Sequence, residues 1–431
     1  MKGMLIGLML LGAAAPVLAQ APLSIEEAVQ LALERNERGR SAQLQTEAAD
    51  ARVAQARAFF FPDLSLVGSY THRPATVAGD DDAAPRRQDL LAPRAIASLT
   101  LFDARSLPLY RAARRQRDAA RLSAQESRRL LGFEAAQAFL MTLSAEKVME
   151  AAHQRLELAQ QSLADAQARF AAQLVSSNDV TRAQLELATA RHEATRAQGE
   201  VDRAYLNLGY LLDTPVPGPL APPRELLQTA AQPAGEETLL VAGALDTRLD
   251  LAASRQRAEA QRAAAAEPLR RLLPSLNLNG QYRSTNDTPL GEGRTRDWSA
   301  GLDLSWSLYD RGQLWAERAE RRALARIGDL EARAAVRRAE LEVRTALVGL
   351  SSQQAAIDQA QVAAQVAREN AAQTAELYRQ GLTSALALAD ASARLFEAEV
   401  ALAREEYGMG LAYLDLRSAR GLNPVGEESK R

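Results

Sequence analysis

The nine residues Pro62-Asp-Leu-Ser-Leu-Val-Gly-Ser-Tyr70 return as Pro274-Ser-Leu-Asn-Leu-Asn-Gly-Gln-Tyr282, both in the form P-x-L-x-L-x-G-x-Y. The spacing, 274 − 62 = 212 residues, is about half of the 431-residue chain. Self-similarity at a fixed period predicts one structural unit written twice, with neighbouring units completing each other's apolar faces. Each copy is a short alternating strand set between long stretches of Ala-rich helix.

Four segments carry strand periodicity. In Asp63–Thr71, Leu64, Leu66, Gly68 and Tyr70 share one face; in Ser275–Arg283, Leu276, Leu278, Gly280 and Tyr282 do so. Trp298–Leu308 sets Trp298, Ala300, Leu302, Leu304, Trp306 and Leu308 against Ser299, Gly301, Asp303, Ser305 and Ser307. Arg94–Phe102 is weaker, with Ala95, Ala97, Leu99 and Leu101 opposite Ser98 and Thr100. Such alternation over about ten residues puts one face in an apolar medium and the other in water. A soluble sheet lying on a core satisfies this. So does a transmembrane barrel wall, apolar outward and polar toward a lumen, with Tyr70, Tyr282, Trp298 and Trp306 as its interface aromatics. The polar connectors His72–Pro93 and Ser284–Asp297 read as solvent-facing hairpin loops.

The rest reads as helix, dominated by alanine, leucine, glutamate, glutamine and arginine. A run from Asp103 to about Ala172 meets almost no breaker after Pro108 and would span about 100 Å. The next helix, Asn178 to Leu212, places Ala183, Leu187, Ala190, Ala194, Ala197, Val201, Ala204, Leu208 and Leu211 in an unbroken 4-3-4-3 seam, the rhythm of coiled-coil packing. Shifted by 208, the seam returns as Ala391, Leu395, Ala398, Leu402, Glu405, Met409, Ala412, Leu416 and Ala419. The predicted organisation is a signal peptide at 1–19, a first repeat at 20–213, a Pro-rich linker at 214–237, a second repeat at 238–423 and a polar, frayed tail at 424–431.

The leader has one positive charge, an apolar run and small residues at Val17 and Ala19, so the mature chain is expected to be exported. With 0 cysteines there is no disulfide framework, thiolate metal site or lipid-bearing Cys. A net charge of −2 gives no electrostatic case for nucleic acid. No later segment is apolar for 18 residues, so a helical membrane protein is excluded and only a β-barrel remains as a spanning structure. The histidines His72, His153 and His192 are scattered, and no phosphate loop or paired carboxylates mark an enzyme or cofactor site. The arginine-rich run Arg111–Arg117 reads as a solvated helix face.

Four strands cannot close a barrel, since the smallest closed ones need about eight. In a membrane, several chains must therefore combine, and three give twelve. The helical seams make the same demand, because a monomer cannot bury all the apolar stripes. The product is a β-barrel continued by a hollow cylinder of helices. A soluble periplasmic coiled-coil adaptor or scaffold is the competing reading; it leaves the paired P-x-L-x-L-x-G-x-Y segments unexplained.

Over essentially the whole mature chain, the duplicated strand–helix order resembles the outer membrane efflux proteins of the TolC type. The local match is at two helix-hairpin turns, Arg169-Phe-Ala-Ala-Gln-Leu-Val-Ser-Ser-Asn-Asp-Val180 and Leu377-Tyr-Arg-Gln-Gly-Leu-Thr-Ser-Ala-Leu-Ala-Leu388. The family pattern there is R-Y/F-x-x-G-x-x-S-x-x-D-V. The first copy has Gln173 in place of the glycine; the second has Leu377 for the arginine and Ala387 for the aspartate. The resemblance implies a mainly α fold with a small transmembrane β part: a homotrimer whose 12-stranded barrel, four strands per chain, lies in outer-membrane lipid above a periplasmic α-helical barrel. It implies a channel, not an enzyme, without cofactors, serving a periplasmic adaptor and an inner-membrane pump in efflux or type I secretion. The adaptor-docking turns would be Gln173, Leu174, Val175 and Ser176 with Gly381, Leu382, Thr383 and Ser384. The pore gate would involve Asp390 and Asp179. Of the family's two entrance carboxylates, only Asp390 carries over, because Ala387 replaces the other. Thr383 stands where the best-known member has its entrance arginine.

Overall fold

A computed structural model describes residues 22–74, 88–216, 218–287 and 293–426. The signal peptide, residues 75–87 and 288–292 of the hairpin loops and residues 427–431 of the tail lie outside them.

The element order is a duplication. The first repeat runs α1 (Ile25–Arg35), α2 (Glu37–Ala58), β1 (Asp63–His72), β2 (Asp89–Phe102), α3 (Ser106–Ala171) and α4 (Ser177–Leu212). The linker holds the short α5 (Arg224–Ala230). The second repeat runs α6 (Glu237–Thr247), α7 (Leu249–Ala265), α8 (Glu267–Arg270), β3 (Ser275–Thr285), β4 (Thr295–Ser305), α9 (Gln313–Arg379) and α10 (Ala385–Ala419). Helices α3 and α9 are 66 and 67 residues long, each about 100 Å of rod. Among the described residues no helix is long and apolar enough to cross a membrane.

The sheet is four antiparallel strands in the order β1-β2-β3-β4, so β1 and β4 are both edges. Its register carries the alternation across the whole sheet. Leu64 lies opposite Ala97, Ala97 opposite Gly280, and Gly280 opposite Ala300. The next row is Leu66, Ala95, Tyr282 and Trp298. One face is thus apolar throughout, while Ser65, Ile96, Gln281 and Ser299 form a row of the other. The apolar face is not covered: Leu64, Leu66, Tyr70, Trp298, Leu302 and Leu304 are all exposed.

The strand limits depart from the alternation pattern. His72–Pro93 and Ser284–Asp297 read as connectors, yet β2 begins at Asp89, β3 runs through Thr285 and β4 begins at Thr295. Pro93, opposite Gly68, is tolerated in β2 because its missing N–H is on the side of β3, where pairing starts only at Arg94. A bulge between Thr100 and Phe102 puts Phe102, not Leu101, opposite Leu276. Strand β4 ends at Ser305, leaving Trp306 and Leu308 beyond it. There the Trp306 indole donates to the Leu272 carbonyl at 3.0 Å.

The main core sits halfway down the rods, where α1, α3, α4 and α10 meet around Phe139, Leu140, Leu208 and Leu414. The predicted α4 seam faces inward: eight of its nine positions are buried and Ala204 is half-buried. In the second seam Ala391, Met409, Leu416 and Ala419 are buried and the rest half-buried. Each repeat also closes its own helix end. Asn36, capping α2, donates to the Leu211 carbonyl at 3.0 Å; Arg248, capping α7, donates to the Ala419 carbonyl at 3.1 Å. Leu211 and Ala419 are the same position, 208 apart, and both supply an end-of-helix carbonyl that lacks a helical partner. Arg38 pairs with Glu134 as Arg248 pairs with Glu342.

Two expectations for charged and terminal segments hold only in part. In the Arg111–Arg117 run, Arg111, Arg114 and Arg115 are exposed as a solvated face requires, but Arg115 reaches Glu259 on α7 at 3.2 Å, and Arg117 is half-buried, 2.7 Å from Asp118 and 4.0 Å from Asp50 on α2. Beyond Pro424 the chain does not fray at once. Pro424 is buried, Val425 packs on the main core, and Arg417 donates to the Asn423 and Gly426 carbonyls.

The hairpin tips as a candidate docking and gating site

The far ends of the two helical hairpins carry the residues singled out by sequence. Each turn is built on the same hydrogen-bond pattern. Gln173 N–H donates to the Phe170 carbonyl and Leu174 N–H to Arg169; Gly381 N–H donates to Tyr378 and Leu382 N–H to Leu377. This pair of bonds, six-to-one and five-to-two, ends a helix by placing one residue in the left-handed region. In the second turn that residue is Gly381, at φ +76°; in the first it is Gln173, at φ +60°. The positions coincide at 381 − 173 = 208, so the family glycine is missing where the backbone still demands one.

Next to the turns, the new helices start in different ways. Ser176 caps α4, and the Asp179 carboxylate accepts from the Ser176 N–H at 3.1 Å and from its hydroxyl at 3.0 Å. Asp179 is therefore half-buried and committed to the cap. In the second hairpin Ser384 accepts from the Ala387 N–H at 3.3 Å, and Ala387 offers no carboxylate in return. Asp390 is exposed one turn further on and accepts from Arg394 at 2.9 Å. Asp179 and Asp390 are thus each engaged within their own helix, and no contact joins them.

Leu174 and Leu382 stand out at the tips, 75% and 70% exposed. Gln173, Ser176, Gly381 and Ser384 are exposed as well, while Val175 and Thr383 are half-buried.

Arg169 and Tyr378, which both belong to the motif segments, lock the tips together. Arg169 donates to the Tyr378 carbonyl at 2.8 Å and to the Arg379 carbonyl at 2.9 Å, with its guanidinium 4.7 Å from the Tyr378 ring centre. It satisfies end-of-helix carbonyls of α9 and stacks on an aromatic face at once. Burial raises the Tyr378 phenol above its ordinary value; Arg169 opposes that shift, and Asp179 and Asp165 add to it. Higher up, Arg155 of α3 holds Glu186 and Glu193 of α4 at 2.9 and 2.6 Å and lies 5.2 Å from the Phe396 ring of α10. No group of three or more metal-ligating side chains occurs among the described residues.

Replacing Gln173 with glycine is expected to stabilise the first turn by about 1 kcal/mol, since a side chain in the left-handed region costs about 1–2 kcal/mol. Slower amide exchange across residues 169–176, compared with the parent, is the measurement. Faster exchange there would mean that Gln173 makes contacts worth more than its strain.

The outer membrane efflux protein family model matches this chain twice, over residues 28–213 and 240–422, one match per structural repeat. Protein CyaE of Bordetella pertussis is 31% identical over 350 residues, covering 75% of this chain and 70% of CyaE. The Campylobacter jejuni CmeC outer membrane channel is 18% identical with a TM-score of 0.78, over 92% of this chain and 85% of that one. The open Neisseria gonorrhoeae MtrE outer membrane channel is 19% identical with a TM-score of 0.77, over 94% and 91%. At those identities the two solved structures establish the fold. The doubled family match, with a relative above 30% identity, establishes the family: this chain belongs to the outer membrane efflux proteins, channels of the outer membrane with a helical body in the periplasm.

Proposed function

We propose that three copies of this chain close one conduit, with twelve strands in outer-membrane lipid and twelve long helices below, that receives cargo at the hairpin tips from an adaptor and an inner-membrane pump. The observation that carries this reading is a set of surfaces left bare on one repeat and buried on the other. Leu206 on α4 is 74% exposed, whereas its counterpart Leu414 on α10 is 0% exposed, packed against α3. Leu341 and Val348 on α9 are exposed, whereas their counterparts Phe133 and Leu140 on α3 are buried. The contact between α10 and α3 is therefore available a second time, between α4 of one copy and α9 of the next. Such head-to-tail contacts form a ring when the rotation closes. The soluble-scaffold reading leaves the apolar sheet face without a medium.

The strands supply a register for that ring. β1 and β3 correspond at 276 − 64 = 212, and β2 and β4 at 304 − 97 = 207, because Leu64 faces Ala97 as Leu276 faces Leu304. The β2–β3 junction is then the template for β4 against β1 of the next copy. Ile96 faces Gln281, so Asp303 should face Ser69 of the neighbour. In this cysteine-free chain, the pair Asp303→Cys with Ser69→Cys is expected to give covalent trimers on oxidation in outer-membrane fractions. Gly301→Cys with Ser69→Cys, two residues out of register, is expected not to. The opposite outcome would reject this register, and a soluble monomer would reject the conduit.

At the tips, an adaptor hairpin would meet exposed Leu174 and Leu382 on rigid, hydrogen-bonded turns. Changing both to aspartate should reduce export to background while trimers remain, because a buried unpaired carboxylate opposes docking. Export at the parental rate would show that these leucines do not dock a partner.

For the gate, three copies of Asp390 would ring the entrance with like charge, partly offset by Arg394. Asp179, held in its cap, would contribute through the shape of the turn. Asp390→Asn is expected to raise single-channel conductance in planar bilayers and lower cation selectivity. Unchanged values of both would remove Asp390 from the gate.

A further inference from the structure

At the foot of the sheet, where the apolar face ends and α3 begins, the structure holds a cavity of about 460 Å³, within the size range of small-ligand pockets. It lies inside one chain, between the first repeat and the α7–α8 segment of the second. Phe59, Phe60, Phe102, Leu107 and Leu273 line it. The aromatic rings are ordered by edge-on contacts, Phe59 to Phe60 at 6.3 Å and Phe60 to Tyr110 at 6.2 Å. Three charged side chains reach it: Asp103, Arg111 and Arg270. Asp103 is already bound by Arg105, at 2.6 Å. Arg111 and Arg270 are exposed and have no ion pair or hydrogen bond among the described residues. Elsewhere on α3, Arg115, Arg117, Arg121 and Arg129 hold carboxylates.

An apolar floor with two free guanidiniums is complementary to an amphiphile with an anionic head, and guanidinium matches phosphate in a planar two-pronged geometry. The position selects the amphiphile. Phe102 and Leu276 form the last outward row of the sheet, and Arg111 follows the start of α3 by five residues, about 8 Å along its axis. Headgroup layers extend about 5–8 Å beyond the hydrocarbon on each side. The aromatic floor therefore lies at acyl depth and the arginines at headgroup depth.

We propose that this cavity is a site for one glycerophospholipid of the periplasmic leaflet, its phosphate on Arg111 and Arg270 and an acyl chain along Phe59, Phe60 and Phe102. The inference rests on the membrane placement proposed above. In a chain without a lipid-bearing cysteine, a bound lipid at each chain-internal seam would fix the height of the barrel in the bilayer.

The test uses the purified full-length assembly in detergent, titrated with dioleoyl phosphatidylglycerol and read by native mass spectrometry. Saturable binding of one lipid per chain is expected. Diolein, which has the same chains without phosphate, and inorganic phosphate at equal concentration should leave no adduct. Arg111→Gln with Arg270→Gln should weaken phosphatidylglycerol binding roughly tenfold or more, while Arg111→Lys with Arg270→Lys, which keeps the charge but not the fork, weakens it less. Equal retention of diolein would reduce the site to an unselective acyl groove, and an equal phosphate adduct to a free-anion site; either overturns the proposal. So does unchanged affinity in the glutamine variant. If that variant fails to assemble, the lysine variant and the three-ligand comparison still decide. A preparation with no lipid affinity that runs as a soluble monomer would instead remove the membrane placement itself.

Discussion

A strand edge inside hydrocarbon leaves backbone N–H and C=O groups with nothing to bond, at several kcal/mol each, so a sheet there has to close on itself. This chain provides three strand junctions and leaves the edges of β1 and β4 open. The rest of the architecture answers that deficit. Because the unit is written twice, the junction inside the chain, β2 to β3, already has the geometry required of the junction between copies. The same holds 100 Å of helix below it, where α3 against α10 rehearses α9 against α4. One chain thus contains a complete example of the contact it must make with its neighbour.

The two seams are not chemically equal, and the difference is concentrated at the tips. Within the chain, Arg169 bonds two carbonyls of α9 and stacks on buried Tyr378. At the matching positions of the other seam stand Leu377 and Phe170, both exposed. A seam inside one chain is formed once, during folding, and can hold a half-buried guanidinium whose donors are directed at fixed acceptors. A seam between chains has to assemble from separate partners, and interfaces of that kind bury apolar and aromatic surface at their centres. The duplicated sequence has diverged accordingly, keeping the motif arginine on one side and replacing it with leucine on the other.

Much of this was legible in the chain. Period-two alternation located all four strands, and the 4-3-4-3 seam of α4 is buried along its length. What failed has a common cause: a residue's partner in space is not written in its own segment. Alternation cannot place Pro93 in a strand, because what permits it is that the ladder to β3 begins only at Arg94. Arg115 reads as solvated because its partner, Glu259, lies on another helix. Asp179 matches a gate position by resemblance, yet locally it closes a helix cap with Ser176, a pairing visible in the S-x-x-D spacing itself. The Arg169–Tyr378 contact spans 209 residues, and only the near-coincidence of that distance with the repeat length could have suggested it.

Another discrepancy between pattern and structure concerns a strand end. Alternation carries the fourth strand to Leu308, but β4 stops at Ser305. Nothing in Trp306-Ser307-Leu308 disfavours extended structure; tryptophan and leucine sit well on a pleated face. Pairing to β3 ends at Ser275 opposite Ser305, with Pro274 next, and the outer edge has no neighbour among the described residues. Carrying the β2–β3 register across to the next copy sets Leu304 opposite Gly68, and continuing it sets Trp306 opposite Leu66. The three-residue overhang is then ladder that β1 of another chain would complete. On that argument the alternation describes the assembled wall, while the isolated chain shows the same strand with its last pairing withheld.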